Sequence, residues 1–307
     1  MGDDHNVGSR LLDLSGPHYS FLGLSPSAES LEGARAVIVP VPYDGTTTYR
    51  AGTREGPRAI LAASRELELF DEETSTEPHR WGIATVGELE VTVASPREMV
   101  ARVRRVGESV LEAGKLPVLL GGEHLLSLGM IEAVAARFPD VTILHLDAHG
   151  DLRESYQGSR YSNACVMRLA ANHGKLVQVG IRAVSKGEVE FIQERNIPCF
   201  FAHQLNRNPG LWRDIPDLLG PRVYVSIDLD VFDPSIMPAV GTPEPGGVGW
   251  YEVLALLREV ARKSHVVGFD VMELLPIPQM VAPDLLAARL VYKFLGYIFM
   301  DFMGSPC

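Results

Sequence analysis

A chain of 307 residues with 46% hydrophobic and 22% charged side chains has the composition of a globular protein, which sets aside disordered and fibrous classes. Its net charge of -11, with no Lys/Arg run, argues against nucleic acid as a partner, because phosphate backbones need an electropositive surface. Three cysteines at unrelated spacings, Cys165, Cys199 and Cys307, make neither a disulfide framework nor a zinc cluster, and a reducing compartment fits them.

The amino terminus, MGDDHNVGSR, is acidic where an export signal would be basic and then apolar. Asn6 stands where an acylation motif at Gly2 wants Ser or Thr. The protein is therefore read as cytoplasmic, without a membrane partner. We expect one domain over residues 1–307, with residues 1–33 as an N-terminal arm.

Eight short β-branched runs follow: Ala36–Val41, Gly82–Val86, Leu116–Leu120, Val141–Leu146, Leu176–Ile181, Pro198–Phe201, Arg222–Ile227 and His265–Val271. Several are continuously apolar, such as VTILHL and RVYVSI, which suits strands covered on both faces of a parallel sheet. Amphipathic stretches lie between them, among them Pro96–Ala113 and Ser127–Arg137. The apolar run from Leu290 to Met303 is broken by Lys293 and Asp301, so it reads as a buried carboxy-terminal helix and not a membrane span. Strand and helix in alternation predict a layered α/β fold.

Ligands in such folds bind beyond the carboxyl ends of the strands. Four of the eight predicted strand ends carry acids or histidines. Leu116–Leu120 leads into Gly121-Gly122-Glu123-His124, and Val141–Leu146 into Asp147-Ala148-His149-Gly150-Asp151. Arg222–Ile227 leads into Asp228-Leu229-Asp230, while His265–Val271 contains Asp270 and leads to Glu273. On extended chain, residues two apart share a face, so Asp147, His149 and Asp151 can enter one pocket, as can Asp228 and Asp230. Four carboxylates crowded in a low-dielectric crevice repel one another unless cations neutralise them. Two divalent ions balance four Asp, with His124 and His149 completing the donor set. Oxygen donors with two imidazoles suit manganese best among common metals, with zinc, nickel, cobalt and iron as alternatives. Asp233, just before Pro234, reads as a turn residue, Glu123 as a partner that orients His124, and His173, His203 and His265 as ordinary surface or core residues.

These blocks resemble the ureohydrolases, the family of arginase and agmatinase. Gly121–His124, Leu146–Asp151 and Ser226–Pro234 followed by Gly241–Gly247 are similar to the family's three metal blocks. Weaker similarity runs through Val39–Gly45, Gly52–Arg58 and Phe269–Pro276, so it covers nearly the whole chain. The resemblance implies a three-layer αβα fold around an eight-stranded parallel sheet. It implies two metal ions held by His124, Asp147, His149, Asp151, Asp228 and Asp230, and a homotrimer or homohexamer. It further implies hydroxide attack on a guanidinium carbon, Asp151 as proton carrier and Glu273 as the carboxylate that pairs with the guanidinium.

Agmatine is the leading substrate by this reading, giving putrescine and urea; aminopropylagmatine, guanidinobutyrate and arginine are the alternatives. The segment Asp151–Asn163 resembles the specificity loop of prokaryotic agmatinases, and Glu154, Tyr156 and Thr242 are candidate contacts to the substrate. Asn163 stands where the family usually places a proton-shuttling histidine, and asparagine does not titrate near neutrality. Three readings follow: an enzyme relaying protons by water or Asp151, an altered substrate, or a metal-binding homologue with little turnover. A single-metal deacetylase on the same general fold and a metal-stabilised scaffold are the rival classes. A binuclear phosphoesterase is disfavoured, because no Gly-Asn-His-Asp/Glu block occurs.

Overall fold

In the computed structural model the described residues are 20–24 and 31–304; most of the expected N-terminal arm, and Cys307, lie outside them. The eight apolar runs form eight strands: β1 (Ala36–Val41), β2 (Ile83–Thr85), β3 (Leu116–Gly121), β4 (Thr142–Leu146), β5 (Lys175–Ile181), β6 (Cys199–Phe201), β7 (Arg222–Asp228) and β8 (His265–Met272). They build one parallel sheet in the order β2-β1-β3-β8-β7-β4-β5-β6. β2 is shorter than its apolar run by one residue at each end; at the first, Gly82, with φ 86°, is outside the extended region.

Side chains alternate between two cores, one on each face of the sheet. In β1, Val37, Val39 and Val41 enter one core while Ala36 and Ile38 enter the other. The first core also takes Met99, Val103, Val106 and Val110 from the helix Pro96–Glu112 and Leu128, Ile131 and Val134 from Ser127–Arg137. The longer of these helices starts where its sequence predicts: Ser95 accepts the Glu98 N–H at 3.1 Å and Pro96 occupies the first turn. The helices cross closely at Gly129, where a Cβ would stand 2.4 Å from the Val100 carbonyl oxygen. The opposite core is covered by the helices Gly56–Ser64, Trp250–Lys263 and Ala282–Gly304. This is the α/β architecture of helical layers on either side of a parallel sheet.

No helix among the described residues is long and apolar enough to cross a membrane. Lys293, which interrupts the carboxy-terminal apolar run, is only 5% exposed and is met by acids from a distant turn. Its Nζ donates to Asp71 at 2.8 Å, Glu72 at 3.2 Å and Glu73 at 3.3 Å. Asp71 is fully buried, so removing the lysine strands a carboxylate in the interior. Lys293→Met is expected to cost about 3 to 5 kcal/mol in denaturant unfolding. A loss under about 1 kcal/mol would mean that the turn relaxes and rehydrates Asp71.

Candidate metal centre

β3, β8, β7 and β4 are consecutive neighbours in the sheet, so the segments leaving their carboxyl ends enter one crevice. After β3 the chain turns tightly at Gly122, where a Cβ would lie 2.0 Å from the Tyr43 carbonyl oxygen, and delivers His124. After β7, the Asp228 carboxylate accepts the Asp230 N–H at 2.8 Å and fixes the second aspartate of that pair. After β4, Asp147 accepts the His149 N–H at 2.5 Å, and Asp230 accepts the Ala148 N–H at 2.9 Å, which joins the two loops.

Two residues here hold left-handed backbone, Asp151 at φ 52° and Glu273 at φ 66°. Such geometry costs about 1–3 kcal/mol per residue and persists where surroundings enforce it. The Asp151 carbonyl accepts from the Met167 and Arg168 N–H groups at 3.0 and 3.1 Å. The Glu273 N–H donates to the Gly122 carbonyl at 2.9 Å, and its Oε1 accepts the His124 N–H at 2.7 Å.

The six candidate metal ligands come together. His124 Nδ1 lies 3.0 Å from Asp147, 3.4 Å from Asp151 and 3.3 Å from Asp228 carboxylate oxygens. His149 Nδ1 lies 2.8 Å from Asp230 and 3.4 Å from Asp147. Asp147 is common to both groups, so the donors fall into two adjoining sets that share one carboxylate; His145 also falls within the first set, and Asp228 joins it beside His124.

A cation fits this arrangement for a reason found at His124. Its Nε2 faces Ser226 Oγ at 2.9 Å, and that hydroxyl donates to Asp270 at 2.9 Å, so Nε2 carries the proton in the neutral ring. The buried Nδ1 then turns a lone pair toward three carboxylates and makes no hydrogen bond. A positive charge between them satisfies all four groups.

The protonation tendencies carry the same message. Burial first, then mutual repulsion, raises Asp228, Asp230 and Asp151 above the usual carboxylate range. Burial works against charge on Asp147 too, yet His145, His124 and His149 hold it well below that range. Burial likewise opposes charge on His124 and His149, but the facing carboxylates raise both. Without cations, the site draws protons into the positions cations would take.

Several supporting residues escape a reading of the sequence. His145 Nε2 bonds Asp147 at 2.8 Å, while Gln178 donates to His145 Nδ1 at 3.0 Å and to the Gly150 carbonyl at 2.7 Å. His145 therefore orients Asp147, and its position two residues before Asp147 on the same strand face was the available signal. Arg182 grips the carbonyls of Asp230, Phe232 and Glu244 through Nη2 at 2.6, 3.2 and 2.9 Å, fixing the loop that carries Glu244 against a candidate ligand. Asp270 does not join the metal cluster; it accepts from Tyr224 at 2.7 Å and Ser226 at 2.9 Å behind His124.

The metal candidates open onto a cavity of about 410 Å³, whose wall also includes Glu273, Asn163, Thr242, Tyr156 and Glu244. Glu273 is buried, and burial lifts its carboxyl to about 8, with the His124 N–H opposing and Glu123 adding to the rise. Glu154 is not brought to this wall. The chain reverses between Tyr156 and Ser159, which bond one another at 2.8 and 2.9 Å, and Glu154 stands exposed on a neighbouring depression. Glu123 does not orient the His124 ring: both its carboxylate oxygens are taken by Thr46, and Ser226 has the orienting place. Asp233 is a turn residue as expected, accepting from Ser235, Gly246 and Gly247, each at 3.0 Å. His173, His203 and His265 lie away from the cavity.

A parallel eight-stranded sheet with this Asp/His cluster on its carboxyl edge is the arginase-family arrangement, and the family's sequence profile matches residues 34–296; the chain belongs to the arginase family. Within it the chain is a hydrolase of the ureohydrolase type. It is 40% identical to the N(1)-aminopropylagmatine ureohydrolase of Synechocystis, over 89% of this chain and 92% of that protein. It is 41% identical to the enzyme of the same name from Thermus thermophilus, over 86% and 90%. The crystal structure of the agmatine ureohydrolase of Thermoplasma volcanium superposes with a TM-score of 0.85 at 30% identity, covering 97% of this chain and all of that one (100%).

Two outcomes follow for the centre. Ser226→Ala frees the His124 ring from its fixed tautomer, and is expected to weaken divalent-metal affinity about 10-fold to 100-fold in calorimetric titration, with the fold intact by circular dichroism. An unchanged affinity would remove Ser226 from this role. The second outcome concerns pH. In metal-free protein, burial raises Glu123 and Glu273 from 4.5 to about 7 and about 8. Carboxyls that bind protons more tightly folded than unfolded cause stability to fall as pH rises through that interval, and the raised histidines act in the same direction. Chelator-treated protein should therefore melt lower at pH 8 than at pH 5, and added divalent cation should rescue it most at pH 8. A stripped protein that is more stable at pH 8 would contradict this account.

Proposed function

We propose that this protein hydrolyses the guanidino group of N(1)-aminopropylagmatine, releasing urea and a polyamine, with agmatine as the second substrate. The observation that carries this reading is the pairing of two adjoining metal donor sets with the buried Glu273 carboxylate on one cavity wall. Oε1 of Glu273 is engaged by the His124 N–H, while Oε2 has no hydrogen bond among the described residues. A planar guanidinium is the natural partner for such a carboxylate. Four carboxylates and two imidazoles suit manganese.

Divalent cations held by these six residues would supply water activation at neutral pH. The rest falls to the chain. Glu273 orients the guanidinium and lowers its freedom to rotate. Asp151 carries a proton to the departing nitrogen, a service typically worth about 100-fold to 10,000-fold. Beyond the metal candidates the cavity wall carries Glu188, Glu244 and Glu273 against a single cation, Arg153, so it favours polycations. Arg153 lies 4.0 Å from Glu188 and stacks over Tyr156, while Glu244 has no side-chain partner among the described residues and is free to meet a tail ammonium. The similarity at 40–41% to aminopropylagmatine ureohydrolases moves that substrate ahead of agmatine. The protein is read as a single domain working in the cytoplasm, as a homotrimer or homohexamer; light scattering that returns a monomer would remove the oligomer from this account.

Urea release with manganese added is the test, on aminopropylagmatine, agmatine, arginine and guanidinobutyrate. We expect kcat/KM to rank aminopropylagmatine first and agmatine second, with the two carboxylated substrates far behind. No urea from any of the four would end the proposal. Glu273→Gln should lower kcat/KM about 10-fold to 100-fold while leaving two ions bound per chain, since a charge-assisted pair to the guanidinium is lost.

A further inference from the structure

Glu123 is buried beside the metal candidates yet contributes nothing to them, and its partner comes from 77 residues away in the chain. Thr46 gives it two bonds: its N–H reaches Oε2, and its hydroxyl donates to Oε1 at 2.8 Å. With that proton committed, Thr46 Oγ1 is an acceptor, and it receives the Asn163 N–H at 3.2 Å. The side chain of Asn163 is fixed in turn by its own neighbours. Oδ1 accepts the Ala164 N–H at 2.9 Å and the Ser162 hydroxyl at 3.1 Å. A backbone N–H can only donate, so the oxygen is identified and the amide cannot be flipped without losing that bond. Nδ2 makes no hydrogen bond among the described residues, and Asn163 is one of the residues that line the cavity.

A pinned NH₂ group at this position restricts what it can bind. A guanidinium and an ammonium offer only donors, and so cannot partner it. Urea differs, because hydrolysis places an oxygen on the former guanidino carbon. Resting on the guanidino-hydrolase reading above, we propose that Asn163 donates through Nδ2 to the oxygen that becomes the urea carbonyl, and that Thr46, held by Glu123, is the positioning residue that sets its direction. The bound guanidinium offers this donor no acceptor, so losing the bond to the attacking oxygen acts on kcat and leaves KM nearly unchanged. The strut thus joins three segments far apart in sequence, the turn after β1, the turn after β3 and the turn at Asn163, into one wall of the cavity.

The test combines a mutant cycle with a spectroscopic probe. Thr46→Val and Asn163→Ala are each expected to lower kcat about tenfold with KM within about twofold of the parent. The double variant should fall no further than Asn163→Ala alone, and Thr46→Ser should restore most of the loss. Multiplied losses in the double variant, or no rescue by serine, would overturn the positioning role. In ¹⁵N-labelled protein, the Asn163 side-chain amide, assigned by its disappearance in Asn163→Ala, should shift on adding urea. That shift should vanish in Thr46→Val and persist in Thr46→Ser. An amide indifferent to urea in the parent protein would overturn the donor role. Because this readout needs no turnover, it separates failure of the strut from failure of the guanidino-hydrolase reading.

Discussion

The carboxyl edge of the sheet is organised around mutual repulsion among four buried carboxylates. Asp147, Asp151, Asp228 and Asp230 could each be accommodated alone by ordinary turn hydrogen bonds. Together they draw protons or cations inward, since uncompensated charge in a low-dielectric crevice is expensive. The neutral tautomer of His124 sharpens the requirement, because its lone pair is aimed at the same space. The surrounding sheet can be understood as the frame that keeps these groups from moving apart.

That frame acts through a layer of uncharged or internally compensated contacts. Asp270 and Tyr224 hold Ser226, and Ser226 holds His124; Gln178 holds His145, and His145 holds Asp147. Each chain begins on a strand and ends on a candidate ligand, so the rigidity of the parallel sheet is passed to the cluster. The left-handed backbone at Asp151 and Glu273 has the same meaning: relaxed residues would carry their carboxylates elsewhere, and local hydrogen bonds to Met167, Arg168 and Gly122 oppose that relaxation.

What could be read from the sequence depended on whether the determining interaction was local. The strands were legible because runs such as VTILHL can be buried on both faces, and the Asp147-x-His149-x-Asp151 set because extended chain repeats every two residues. Asp233 was legible for the same reason, its partners lying within the adjoining loop. Glu123 was not. Adjacency to His124 suggested a contact with the ring, but the side chain turns to Thr46, a pairing that only the packing of β1 against β3 creates. Glu154 was misplaced by the hairpin at Tyr156–Ser159, and Arg182, which follows β5, went unread because the carbonyls it clamps lie 48 to 62 residues further along the chain.

Asn163 carries the argument furthest. By its resemblance to the family, it stands where a proton-shuttling histidine is usual. In the fold, its oxygen is occupied and its nitrogen has no partner among the described residues, an arrangement suited to a donor. Glu273 presents the complementary case, an acceptor with one oxygen engaged and one open. On the proposed function, the cavity would separate its two tasks by hydrogen-bond polarity, with acceptors for the cationic reactant and a donor for the neutral product. A wall divided in this way favours progress along the reaction over tight holding of the substrate, as differential binding requires.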